Sequence, residues 1–344
     1  MKRLLSAVFR RLALSLLILW GVTSTAWLMT ALLPGDPVSV VLGPNASPAD
    51  VARAKQVYGL DRPLHEQYVR FFQRLVHRGP ALDDDDKTPA PDGHASCGGL
   101  FGVHIDLGTS VRYRKPVFEL IEKKLPRSIE LGAAALFVQL VLGIGLGTLA
   151  GIHRGRRLDE AVVLSTSALS SAPTFVTGLV LQYVFAVRLG LLPLDGAGAS
   201  TPGELSTLVL PAITMGLYGT AVLTRLLRAE LGDALREPYV RTARAKGASR
   251  MRAALAHALP NAISPVAQLT VLELGALVGG ALVTEKLFRW PGLGELAVNA
   301  IQARDAQAVV GVTIVSAAAV IVATLLADVV ALLLDPRVRR ATQR

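Results

Sequence analysis

The sequence predicts an all-α, polytopic membrane protein with six transmembrane helices. Three observations carry that prediction. Apolar residues make up 51% of the 344 residues and collect in runs of 20 or more, separated by charged stretches. Runs of ~18 or more apolar residues with few charges read as membrane spans. Glycines, 31 in all, recur inside the runs, as they do where membrane helices approach closely. The net charge of +10 is concentrated beside the runs, which fits loops flanking membrane helices better than a nucleic-acid-binding surface. A soluble globule, a disordered chain and a fibrous repeat are excluded. The single Cys97 excludes an intramolecular disulfide framework and a multi-cysteine metal site.

The first run, 12–33, follows Arg3, Arg10 and Arg11. It is too long for a signal-peptide core and lacks a small-residue cleavage site before Pro34, so it is expected to stay as span one. Residues 34–126 are polar. Within them, 49–58 and 65–76 have helical spacing, with Ser47 and Asp61 placed to start the helices. The acidic run 83–86, followed by prolines and glycines up to Gly99, marks a flexible insert near 80–99. A deletion over 82–97 is expected to be tolerated.

Five more runs follow: 129–152, 161–187, 205–227, 263–283 and 308–334. Each is long enough to cross a hydrocarbon core of ~30 Å at about 1.5 Å per residue. Gly143, Gly145, Gly147 and Gly151 mark a packing stripe in the second, and Gly275, Gly279 and Gly280 another in the fifth. Pro173 and Pro211 predict kinks or local breaks. With the N-terminus cytoplasmic, the cytoplasmic side holds 19 Lys/Arg against 17 outside. Thirteen of the latter lie in the long first loop, and long loops cross largely regardless of charge. Both termini are therefore expected inside. The organisation reads as an N-terminus with span one (1–33), an extracytoplasmic region (34–126), a five-helix core (127–334) including a cytoplasmic loop at 229–262, and a cytoplasmic tail (335–344).

That cytoplasmic loop is the most informative segment. It is basic, with Arg236, Arg241, Arg244, Lys246, Arg250 and Arg252, and rich in alanine. Its pattern predicts a short helix, a turn at Gly247 and Ala248, and a second helix capped by Ser249. Physics leaves two readings open: a docking surface for a cytoplasmic partner, or a basic interfacial helix pair on lipid head groups.

Here the chain resembles a family. The string from Tyr239 through Arg241, Thr242, Ala243 and Lys246 to Gly247, followed by His257, Leu259, Pro260 and Asn261, is similar to the EAA loop of ABC-importer permease subunits. The general pattern is Glu-Ala-Ala, three residues, Gly, nine residues, Ile-x-Leu-Pro. Ala243, Gly247, Leu259 and Pro260 meet it. Arg241, Thr242 and His257 depart from it in the manner of the dipeptide, oligopeptide and nickel branch. Other strings agree with that branch: Leu33-Pro-Gly-Asp-Pro37, Asp106-Leu-Gly-Thr-Ser110, Trp290-Pro-Gly-Leu-Gly294 and Asp335-Pro-Arg337.

The resemblance implies a type I ABC importer permease fold in the bacterial inner membrane. It implies a heterodimer with a second related permease, two cytoplasmic ATPase subunits and an extracytoplasmic solute-binding protein. The loop around Arg241 to Ala248 would form the coupling helix on the ATPase. ATP and magnesium would be bound by those ATPases and no cofactor by this chain. Consistently, the sequence has no Gly-x4-Gly-Lys-Ser/Thr phosphate loop. The substrates implied are dipeptides or oligopeptides, with nickel or glutathione as alternatives. Membrane lipids are expected contacts and nucleic acid is not. An intramembrane enzyme, the rival from another class, would need catalytic groups converging at one depth.

Two carboxylates lie within the apolar runs, Glu273 mid-span in the fifth and Asp328 deep in the sixth. Lipid exposure is too costly for either, so each is expected to face the interior, as a packing partner or on the solute path. His94, His104 and Cys97 share the external loop without forming a recognised ligand set. No nucleophile–base pair stands out, so no catalytic residue and no metal site is expected.

Overall fold

The structure, a computed structural model, describes residues 2–32, 47–57, 61–77, 97–100, 103–110, 112–196 and 205–334. Expectations placed on 33–37, 58–60, the acidic run 83–86 and the tail 335–344 lie outside them. In chain order the helices are α1 (Lys2–Ala31), α2 (Pro48–Val57), α3 (Leu64–Leu75), α4 (Val117–Ile152), α5 (Arg157–Ser171) and α6 (Thr174–Leu181). They continue with α7 (Leu205–Ala234), α8 (Pro238–Ala245), α9 (Arg250–Ala253), α10 (Leu259–Gly280), α11 (Leu282–Leu287), α12 (Leu293–Gln302) and α13 (Ala306–Leu334). Wider, π-helical turns follow α6 at Gln182–Arg188 and α9 at Ala254–Ala258.

The all-α expectation needs one addition. Short strands β1 (Val76–His77), β2 (Cys97–Leu100) and β3 (Val103–Asp106) form an antiparallel sheet in the order β1-β3-β2. The end of the expected flexible insert, 97–99, is therefore strand: Cys97 pairs with Asp106 and Gly99 with His104. Two glycines in four residues hide a strand from propensity. The β-branched partner, Val103-His-Ile105, recruits them. A deletion there has to stop at 96.

The chain divides into two compact units. One comprises Arg10–Pro126 and Glu295–Ala318, and the other Met1–Phe9, Arg127–Gly294 and Ala319–Arg344. In the first, Ser47 caps α2: its hydroxyl accepts from the Asp50 N–H at 3.2 Å, a cap worth about 1 kcal/mol. Asp61 caps nothing, because α3 starts on Pro63, whose carbonyl accepts from Glu66 and Gln67. Tyr68 of α3 meets Trp27 of α1 edge-on at 5.2 Å and shares a 2.7 Å hydrogen bond with Ser24. The string 106–110 is structural. Asp106 accepts from Gly108 N–H at 2.7 Å, and Ser110 donates to buried Asp305, which caps α13 by accepting from Ala308 N–H at 3.2 Å.

Among the described residues, four helical stretches are long and apolar enough to cross a membrane: Phe9–Ala31, Val117–Ile152, Leu205–Ala234 and Ala306–Ala331. The expected third span is not one straight helix. Arg157–Ser171 and Thr174–Arg188 meet at 98°, and together they would make a fifth crossing. The break lies at Ala172, extended at ψ 137°, as the residue before a proline prefers. Pro211, by contrast, sits inside continuous α7 between buried Leu210 and Ala212. The expected fifth span is helical as α10 and is interrupted at Ala281, before α11.

In the second unit, α4 and α7 interlock like a zip. A side chain on Gly143 would meet Leu223, one on Gly147 would meet Leu227, and one on Gly151 would meet Leu231. The four-residue step on both helices keeps knob facing hole over two turns. In lipid this packing, rather than the hydrophobic effect, holds helices together. Gly145 faces open space. Gly147→Leu should therefore lower the yield of folded protein, by about 1–3 kcal/mol of overpacking, while Gly145→Leu should leave it unchanged. Equal detergent-extracted yields and melting temperatures for the two would refute the zip. Gly275 of α10 likewise lies against Ala323 and Val320 of α13.

Candidate functional sites

The connection between α7 and α10 folds as the pattern predicts, with one difference. Pro238 begins α8, where its missing N–H costs nothing. The helix stops in a Schellman motif: Gly247 N–H bonds to the Arg244 carbonyl at 3.0 Å and Ala248 N–H to the Ala243 carbonyl at 3.1 Å. Gly247 has φ +93°, and a side chain there would meet nothing within 4 Å. Its requirement is conformational, not steric. Ser249 then caps α9, accepting from Arg252 N–H at 3.2 Å. The difference is that α9, the π turn and α10 are contiguous. The second loop helix is thus an extension of the fifth apolar helix. Leu259 N–H reaches back five residues to Ala254, a widened turn directly before Pro260. The proline ring would clash in a regular α-helix.

A shared apolar core fastens this connection down. Val240, Ala253, Ala254 and Ala258 are buried against Leu223, Leu227 and Leu231 of α7, with Ala248 and Leu259 partly buried at its edge. Tyr239 accepts a 3.0 Å hydrogen bond from Asn261, tying α8 to α10. Arg241, Thr242, Lys246 and Pro260 are exposed, and Ala243 is half-buried. The segment therefore presents a polar face on a rigid mount. Of the residues singled out from sequence, Gly247, Ala248 and Leu259 build the mount, and Arg241, Thr242 and Lys246 form the face.

Glu273 lies half-buried on α10 and accepts a hydrogen bond from Gln139 of α4. Gln139 is 1% exposed. Its amide occupies the space that a side chain at Gly219 of α7 would need. Three helices thus meet at one polar contact. Glu273→Gln removes the charge and keeps the shape. Unchanged assembly with unchanged uptake would assign Glu273 to packing, and unchanged assembly with reduced uptake would assign its charge to the path. Asp328 is half-buried on α13.

A second polar centre has no signature in the sequence. Glu285 of α11 is fully buried. Ser128 donates to its Oε1 at 2.7 Å, and Gly294 N–H donates to its Oε2 at 2.7 Å. The Ser128 hydroxyl in turn accepts from Leu293 N–H at 2.7 Å. Trp290 N–H bonds to the Glu285 carbonyl at 2.8 Å, and the indole donates to the Arg127 carbonyl at 2.9 Å. A side chain at Gly292 would strike the carboxylate, and one at Gly294 would strike the Leu282 backbone and crowd the carboxylate. The 290–294 string is thus wrapped around Glu285, a residue that sequence does not distinguish from the solvated charges of a short connection. No group of three or more His, Cys, Asp or Glu able to hold a metal occurs among the described residues.

Comparisons with known proteins cover nearly the whole chain. Residues 143–340 match the family described as binding-protein-dependent transport system inner membrane component, and residues 4–132 match its N-terminal counterpart. The probable D,D-dipeptide transport system permease protein DdpB of Escherichia coli K12 is 33% identical, covering 94% of each chain. The dipeptide transport system permease protein DppB of the same strain is 31% identical over 98% of this chain and 99% of its own. The oligopeptide transport system permease protein AppB of Bacillus subtilis 168 is 31% identical over 96% and 98%. A solved inward-facing MetNI methionine ABC transporter aligns with TM-score 0.49 and 18% identity over 67% of this chain and 99% of that one. The chain belongs to the binding-protein-dependent transport system inner membrane component family, as a multi-pass transport subunit of the membrane rather than an enzyme.

Proposed function

We propose that this chain is one permease subunit of an ABC importer for dipeptides or oligopeptides, crossing the inner membrane six times with both termini cytoplasmic. Its relatives' names support the peptide class, and the charge asymmetry supports the orientation. The sixth crossing is α10, 22 residues and about 33 Å long. The partners are a related second permease, two cytoplasmic ATPases that bind ATP and magnesium, and an extracytoplasmic solute-binding protein.

The observation that carries the mechanism is the rigid mount of α8. A short helix ended by a Schellman turn and bonded through Asn261 to α10 transmits a push on its exposed face directly into a membrane helix. ATP binding in the partners would thereby bias the membrane helices between two arrangements, since an effector shifts an equilibrium only by contacts that differ between its states.

Arg241→Cys and Lys246→Cys, in a Cys97→Ser background, test this. Both should crosslink to cysteines along the ATPase groove, and both should resist a membrane-impermeant thiol reagent added to intact cells. Labelling from outside the cell would overturn topology and mechanism together. Uptake of labelled dipeptide that is competed by peptides, and not by nickel or glutathione, would support the substrate class.

A further inference from the structure

Four arginines converge where two membrane helices end. Beyond the last turns of α4 and α7, at Gly151, Ile152 and Gly232, lies a cavity of about 300 Å³. Arg154, Arg236, Arg244 and Arg250 line it. Gly232 is what lets Arg154 lie across α7, because a side chain there would strike the guanidinium. Two of the four are partly engaged: Arg154 pairs with exposed Asp233 at 2.8 Å, and Arg250 donates to the Ile152 carbonyl. Arg236 and Arg244 form no ion pair among the described residues. Four solvent-reachable guanidiniums thus ring a concave wall on which Asp233 is the paired carboxylate, leaving donors free for an anion. Guanidinium forks suit phosphate oxygens.

We infer that this pocket binds the phosphate of an anionic phospholipid head group. Its place argues for lipid over a free anion: the cavity lies where the apolar stretches of α4 and α7 both end and the charged connections begin, which in a membrane is the level of the head groups. Basic pockets at the ends of membrane helices suit acidic lipids. Because Arg244 belongs to α8, a lipid held there would brace the mount from its membrane side. The inference does not depend on the ATPase reading, and it is tested by binding alone.

The full-length chain, purified in neutral detergent, would be titrated with phosphatidylglycerol, phosphatidylcholine or inorganic phosphate and read by native mass spectrometry and thermal shift. Phosphatidylglycerol should give a retained one-to-one adduct and a raised melting temperature. Phosphatidylcholine should give neither. Arg236→Gln with Arg244→Gln should weaken the phosphatidylglycerol adduct roughly ten- to thirty-fold. Arg241→Gln with Arg252→Gln, an equal charge loss in the same segment outside the pocket, should leave it within two-fold. Equal loss in both pairs would reduce the effect to general basicity and overturn the site. Arginine-dependent binding of inorganic phosphate without phosphatidylglycerol binding would overturn the lipid assignment, as would the absence of any adduct.

Discussion

Glu285→Ala is expected to abolish accumulation of the folded subunit. The substitution strands Gly294 N–H and the Ser128 hydroxyl without their acceptor, and it empties the space around which 290–294 is wrapped. Leaving two buried donors unpaired costs about 1–3 kcal/mol each, a large part of the stability of an ordinary domain. Glu285→Gln should fare better, since the amide oxygen can still accept one of the two bonds. Ser128→Ala should fall between, leaving Leu293 N–H unpaired inside the protein. The order alanine at 285, alanine at 128, glutamine at 285, from worst to least affected, is checked by membrane yield and melting temperature in detergent. A Glu285→Ala protein with wild-type yield and melting temperature would show that the carboxylate is dispensable.

Gly247→Val is expected to uncouple the subunit while leaving it in the membrane. At φ +93° a β-branched residue is strained by about 1–2 kcal/mol or more. The turn relaxes by giving up the Gly247 and Ala248 hydrogen bonds that end α8. No neighbouring atom is struck, because the space around the glycine is open. The damage is therefore local to the mount. Uptake should drop at least ten-fold with assembly intact, and Gly247→Asn should recover part of it, because Asn tolerates the left-handed region. Full uptake in the valine variant would detach the turn from transport.

The turn was legible in sequence because its determinants are local. Gly247 follows an alanine-rich helical stretch, Ser249 precedes another, and each acts through hydrogen bonds to residues within five positions. The glycine stripe was legible too, since a four-residue period of small residues has few uses in an apolar helix. Which glycines counted was not: Gly143, Gly147 and Gly151 face leucines of α7, whereas Gly145 faces none. The Glu285 centre was hidden for a related reason. Its partner Ser128 is 157 residues away, and no periodicity in the chain links them.

Hydropathy, charge asymmetry and turn chemistry by themselves determined that the chain is a multi-pass membrane protein, where most of its helices lie, and where the connection between α7 and α10 turns. These are properties of short windows, and lipid leaves a chain few ways to satisfy its backbone. Tertiary structure decided what depends on encounters between distant segments. It bent the third apolar run at Pro173 and kept Pro211 within a continuous helix. It drew Cys97–Leu100 into a sheet, set Glu273 against Gln139, and buried Glu285 beneath the 290–294 loop. The same residue type is solvated, paired or wrapped according to what packs over it, and that neighbour is chosen by helix packing rather than by adjacent sequence.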